Sequence, residues 1–291
     1  MQYTMKNTSA RVAAETAGPV DIREPSFDKF SESDTALTGK VGIVVSVMEG
    51  LNLVANSATS FRAPSLNGTT AVEITNEGID APSPNLKPEK GWTVEGGLKA
   101  RYGHFIGSAT YYHSRITDLV TRVPVEEAYG SQALPKLYQD IQAANPVIDV
   151  FVQANLDEAQ IQGIEFTGFV PIRSGWSVYG NGTLTLGKVL LLNGDKPDSA
   201  KPWEERIRRE PPLNGMVGIR WEPQANWFWG ELSARGAAKQ GRLSRGDIRD
   251  PRIPGKTRDV NEVTFDNIGH AVDAGTPGWV TLNLRGGVQV T

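Results

Sequence analysis

The chain contains no cysteine, which excludes disulfides, thiolate metal sites and cysteine nucleophiles together. No apolar run reaches the length that a membrane-crossing helix requires. Basic charge is also lacking: the net charge of −3 and a pI near 5.7 leave no electrostatic footprint for nucleic acid. The three histidines, His104, His113 and His270, stand apart, and no H-E-x-x-H, P-loop, G-x-S-x-G or G-x-G-x-x-G pattern occurs. Catalytic residues, resident metals and cofactors are therefore not expected. The opening segment Met1 to Thr8 lacks the apolar stretch and small-residue cleavage site of a secretory signal. As it stands this segment is not expected to direct export: either a signal lies on an upstream part or the protein is cytosolic, and the strand pattern favours the first.

What the chain does have is a hairpin rhythm. Period-2 alternation marks strands at 38–47, 51–61, 91–101, 104–121, 150–170, 175–190, 211–222, 226–240 and 278–290. Tight turns follow the first, third, fifth and seventh of these, at Met48-Glu49-Gly50, Tyr102-Gly103, Pro171 to Ser174 and Pro223 to Ala225. Long connections rich in Pro, Gly, Asp, Asn and charge follow the others, at 62–90, 122–149, 191–210 and 241–277. Such strict alternation puts every short turn on one side and every long loop on the other, as in a transmembrane barrel with periplasmic turns and ligand-facing outer loops.

Face patterning agrees. Val41, Ile43, Val45 and Val47 share one face of their strand, and Trp92, Val94, Leu98 and Ala100 oppose Thr93, Glu95, Lys99 and Arg101. Leu213, Val217, Ile219 and Trp221 similarly oppose Asn214, Arg220 and Glu222, and Val280, Leu282, Leu284, Val288 and Val290 oppose Asn283, Arg285 and Gln289. Half-buried strands of a soluble sandwich alternate in the same way. The tryptophans tip the balance: Trp92, Trp176, Trp221, Trp227, Trp229 and Trp279 all fall near predicted strand ends, where a barrel carries its interfacial girdle. The mean hydropathy of −0.32 suits a wall that hides its apolar half in every second residue. Residues 1–36 are polar and irregular and read as a loop or disordered leader, with 37–291 as a barrel segment.

Ordered motifs narrow this further. Phe61-Arg62-Ala63-Pro64 closes the second strand; Asn85-Leu86-Lys87-Pro88-Glu89 precedes the third, which carries Glu95 and Gly97-Leu98-Lys99. Tyr111, Tyr112, Ile116, Asp118 and Leu119 follow, then Asn155 with Ile161-Gln162-Gly163-Ile164-Glu165, then Pro212-Leu213-Asn214-Gly215. Together these resemble the TonB-dependent outer-membrane receptors over about residues 60–290. The resemblance implies an all-β, antiparallel transmembrane barrel segment of about nine strands out of about 22, located in the bacterial outer membrane. It implies active import of a scarce, bulky nutrient such as an iron–siderophore complex, haem or cobalamin. Its partners would be outer-membrane lipid, a plug domain, a TonB-type energy-transducing protein and a small-molecule chelate or cofactor as cargo. Plug and TonB-contact segments are not found in this chain, and so few strands cannot close such a barrel, so a fragment is expected.

Residue roles follow with less specificity. Pro64 ends its strand by removing a ladder donor, and Arg62 either offers a charge at the mouth or holds the loop base together. Glu95, Lys99, Glu165 and Arg220 fall on the polar face, suited to plug or ligand contact. In loop 191–210, Trp203, Arg206, Arg208 and Arg209 stand beside Asp195, Asp198, Glu204, Glu205 and Glu210 and either grip an anionic chelate or, as the simpler reading, form a solvated loop of mixed charge; Arg242, Arg245, Arg249, Arg252 and Arg258 leave the same choice in loop 241–277. Two other classes compete: a passive porin or adhesin barrel, and a soluble extracellular β-sandwich binding module.

Overall fold

Alternation along the sequence becomes alternation of faces across one antiparallel sheet. The computed structural model describes residues 2–5, 30–33, 35–75, 78–83, 86–129, 133–144, 146, 148–191, 196–223, 227–256 and 259–288. Arg258, Gln289, Val290 and most of the turn from Pro223 to Ala225 lie outside the described residues. Strands β1 (Gln2–Met5) and β2 (Phe30–Ser33) pair with each other within the expected leader. They are followed by β3 (Lys40–Met48), β4 (Leu51–Arg62), helix α1 (Leu66–Thr70), β5 (Glu73–Thr75) and β6 (Gly78–Ala81). Next come β7 (Glu89–Tyr102), β8 (Phe105–Pro124), α2 (Val125–Tyr129), α3 (Lys136–Ala144) and the long β9 (Val150–Pro171). The chain continues through β10 (Trp176–Leu191), β11 (Asn214–Trp221), β12 (Phe228–Ala237), α4 (Arg245–Arg249) and β13 (Trp279–Val288). All nine expected wall strands are present, in the sheet order β13-β12-β11-β10-β9-β8-β7-β4-β3.

By contact the chain divides into two compact units: residues 39–60, 91–116 and 158–291 form the wall unit, and residues 1–38, 61–90 and 117–157 form the second. In the wall unit the register carries each face across successive strands. Val178 pairs with both Val170 and Ile219, Ile219 with Leu232, and Leu232 with Leu284, an unbroken apolar row. One residue along, Ser177, Arg220, Glu231 and Arg285 form the matching polar row. The apolar row is not covered: Leu284 is 84%, Leu232 50% and Ile219 38% accessible, with Val170 and Val178 half-buried, the pattern of a lipid-facing band rather than a core. Glu95, Glu165 and Arg220 lie on the polar face as expected; Asn56 Nδ2 donates to Glu95 Oε2 at 3.4 Å, and Arg220 Nη1 lies 3.7 Å from Glu231 Oε2.

The tryptophan expectation needs correction at two positions. Trp176, Trp221, Trp227 and Phe228 do form an aromatic cluster beside the short turns, with ring centroids 4.1–6.0 Å apart in successive pairs. Trp229 and Trp279 instead occupy the polar face, opposite Gly287 and Ala237, because each sits one residue out of phase with its apolar neighbour Phe228 or Val280. Arg220 covers Trp229 at 4.1 Å, and Arg235 lies 6.0 Å from Trp279. The turns themselves require glycine: Gly50 has φ +76°, and any side chain there would run into the Arg101 carbonyl, whose residue donates its N–H to Gly50 O at 2.6 Å.

The long connections contain structure of their own. In the second unit β6 pairs antiparallel with β5 and parallel with β9. In the wall unit, Leu243, Ile248, Val260, Val263, Ala271 and Ala274 are buried together, with Trp203, Ile253 and Phe265 packed against them. The loops therefore bury apolar residues of their own, while backbone bonds such as Ala271 N–H to Gly241 O and Val272 N–H to Thr264 O pair groups that burial would otherwise leave without water.

Candidate functional site

The motif residues converge on the second unit, where they tie strand ends to re-entry segments. Arg62 Nη2 donates to Glu89 Oε1 at 2.5 Å, and the same oxygen accepts the Val120 N–H at 2.8 Å. Glu89 is buried while the Arg62 side chain is 68% exposed, so the carboxylate is the fixed member of the pair. This geometry supports the loop-base role of Arg62. Pro64 and Leu86 are buried beside this point in sequence, Phe61, Ala63 and Pro88 are half-buried, and Asn85 lies outside the described residues.

Asn155 is the residue whose role the sequence did not disclose. Its Oδ1 accepts the Lys87 N–H at 2.7 Å, and its Nδ2 donates to Lys87 O at 2.8 Å and to Asp118 O at 2.7 Å. A side-chain amide thus substitutes for a strand's edge. Asp118 meets it with φ +55°, a conformation that aspartate tolerates better than most residues. Nearby, Arg122 Nε donates to Asp80 Oδ1 at 2.6 Å, its Nη2 donates to Thr75 Oγ1 at 3.2 Å, and its guanidinium lies 3.7 Å from the Phe151 ring centroid. The Tyr138 hydroxyl donates to Pro82 O at 2.8 Å, and burial, reinforced by Tyr129, pushes its pKa upward.

The other motif residues lie in the wall. Gly163 sits beneath Tyr112, whose hydroxyl is 2.8 Å from Thr185 Oγ1, the residue opposite Gly163. Glu165 is exposed opposite Thr183.

The mixed-charge loops 191–210 and 241–277 are anchored by buried acids. Glu210 Oε2 accepts the Gly187 N–H at 2.7 Å, while its Oε1 pairs with Arg242 Nε. Asp250 accepts Arg252 Nη2 at 2.6 Å and Arg208 Nη2 at 3.1 Å. The hydrogen bonds from Arg252 hold its carboxyl well below the usual range, against the upward push of burial. Trp203 stacks on Phe265 at 5.5 Å, against the loop's apolar cluster. Arg206 is half-buried, and desolvation together with neighbouring Arg242 lowers its pKa; its Nε has no hydrogen-bond partner among the described residues. Arg209, at φ +58°, keeps its side chain 63% exposed while its N–H is held by Asp247 at 3.2 Å. The Arg245-Gly246-Asp247 tripeptide is part of α4, with Asp247 buried in a capping box with Ser244.

These loops and the polar face enclose a cavity of about 500 Å³ whose lining includes Arg209, Arg235, Trp279, Ile253, Asn214 and Gln240. Arg209 is among the cations that the sequence singles out; Arg235 and Trp279 are not brought together by sequence reasoning, because they meet only through the β12–β13 register. Among the described residues no cluster of His, Asp or Glu is arranged to hold a metal ion.

Comparison with known proteins bears on this geometry. The family model described as "TonB dependent receptor-like, beta-barrel" matches residues 5–291. A vitamin B12 transporter, BtuB of Photobacterium profundum, is 30% identical over 146 residues, half of this chain and 20% of that protein. Among solved structures, the copper transporter OprC matches 91% of this chain and 32% of its own, with TM-score 0.60 and 17% identity. The ferric enterobactin receptor PfeA of Pseudomonas aeruginosa matches 90% and 34%, with TM-score 0.59 and 14% identity. The Serratia marcescens receptor HasR, solved with its hemophore HasA and heme, matches 81% and 38%, with TM-score 0.54 and 14% identity. The chain thus spans about a fifth of its curated relative and about a third of these solved chains.

Proposed function

This chain belongs to the TonB-dependent receptor β-barrel family, and on that footing we propose that it supplies part of the wall and outer loops of an energy-driven importer in the bacterial outer membrane. The observation that carries the reading is the pairing of an exposed, register-continuous apolar band with folded, cation-bearing loops over the polar face. A soluble sandwich would cover the band.

The cargo class is a scarce, bulky nutrient such as cobalamin, an iron–siderophore complex or haem. Relatives carry names spanning this range: vitamin B12 transporter, ferric enterobactin receptor, hemophore receptor. Exposed Arg209, with Trp203, Arg206 and Arg208 holding the loop around it, is the proposed ligand-facing group. A plug domain against Glu95, Glu165 and Arg220, and a TonB-type protein acting through that plug, complete the scheme. Residues 1–36 serve as a loop or leader to the barrel segment that follows.

The test is uptake by cells bearing the full-length protein in an outer membrane stripped of other receptors. Accumulation of labelled cobalamin or ferric siderophore should stop when the proton-motive force is collapsed. Uptake that continues unchanged would remove the energy-driven reading.

A further inference from the structure

Within the wall unit, the apolar face is interrupted by a trough of about 510 Å³. Its floor is made of residues without side chains: Gly168 and Gly180 are direct cross-strand partners, and Gly107 lies on the neighbouring strand. Its walls include Phe105, Phe166 and Val217, which are 43%, 52% and 56% exposed. The Phe105 ring folds over Gly107 and its edge reaches Gly168, and the Phe166 ring covers Gly182, whereas no ring lies over Gly180 between them. None of the residues lining the trough carries a charge.

Such a dent needs an occupant. Water in it would find too few polar partners, and an empty groove would leave its walls without dispersion contacts. The trough is continuous with the lipid-facing band, and lies at the short-turn end of that band, near where β8 and β10 begin and β9 ends. We propose that it is a binding site for one acyl chain of a bilayer phospholipid from the periplasmic leaflet, held longer than the lipid sliding past the rest of the wall. The proposal rests on the reading of this sheet as an outer-membrane barrel wall.

The site can be mapped with the full-length protein reconstituted in phosphatidylethanolamine bilayers doped with the same lipid bearing a mid-chain diazirine. After illumination, peptide mass spectrometry reads labelling per residue. Labelling at Phe105 and Phe166 should exceed that at Leu282 and Leu284 of the open band by about fivefold, the factor that a modest preferential affinity gives. The Gly168→Leu variant should lose this excess; a β-carbon there meets only the Phe105 ring edge at 3.6 Å, so the wall accommodates it. Gly230→Leu, at a position of the same face with open space around it, should retain the excess. Equal labelling of trough and open band in the wild-type protein overturns the acyl site while leaving the wall reading intact. Labelling of the trough below that of the open band overturns it as well, in favour of a protein occupant that shields it from lipid. Absence of label along the whole apolar face overturns both the site and the wall reading.

Discussion

Asn155 and Lys87 are bonded as two strand residues would be, with both backbone groups of Lys87 engaged by one side-chain amide. The third bond, to Asp118 O, makes Asn155 the point at which the re-entry segment, β8 and β9 are joined. Replacing it with leucine, similar in size but unable to bond, leaves three backbone groups without partners. The expected cost is about 2–3 kcal/mol of local stability. Hydrogen exchange should accelerate at Lys87 while amides at the centre of β10 keep their protection; unchanged exchange at Lys87 would remove Asn155 from this role.

Arg62 and Glu89 should respond unequally to alanine. Arg62 is mostly solvated, so Arg62→Ala should cost under about 1 kcal/mol. Glu89 is buried and also accepts the Val120 N–H, so Glu89→Ala should cost about 2 kcal/mol. Urea midpoints of the two single variants and the double variant decide between this asymmetry and an equal partnership.

Acid should loosen the outer loops through Asp250. Its folded-state pKa is depressed below the ordinary value of 3.8, chiefly by Arg252, so the unfolded loop takes up a proton first as pH falls. The stabilisation is complete above pH 3.8 and drains away below it, towards the depressed folded-state value. Limited proteolysis at 241–277 should therefore rise steeply in that acid range. In Asp250→Asn the rate should already be high at neutral pH and change less on acidification.

Gly163→Ala tests the wall. A β-carbon at 163 would collide with the Leu184 carbonyl and lie 2.5 Å from the Tyr112 hydroxyl, so backbone and ring must both shift. The expected loss is about 1–3 kcal/mol, read as an earlier thermal loss of the far-ultraviolet β signal. Pairing that change with Tyr112→Phe should recover little, because the carbonyl clash remains.

The wall was legible because its signal is local and repeated: alternation over strands such as Lys40–Met48 and Trp279–Val288 states both conformation and face. The loops were not, for two reasons. Their elements are short, as in β5, β6 and α4, and the contacts that order them span long separations; Asn155 and Lys87 are 68 residues apart. A local signal did exist for α4, since Ser244 and Asp247 have the spacing of a capping box. Trp229 and Trp279 show the opposite error, in which residue type suggested a membrane girdle while the parity of the strand put both rings on the polar face.

The described part of loop 241–277, with Leu243 and Ile248 sealed inside and Asp250 gathering arginines, is ordered by contacts of its own. A surface ordered in advance loses little conformational entropy on contact, so more of each new interaction appears as affinity. Residues pointing away from that small interior can vary without disturbing the scaffold beneath them. If Arg209 faces cargo as proposed, one wall can be retuned to different cargo by changing a few exposed side chains, Arg209 among them, with no change in loop length or strand register.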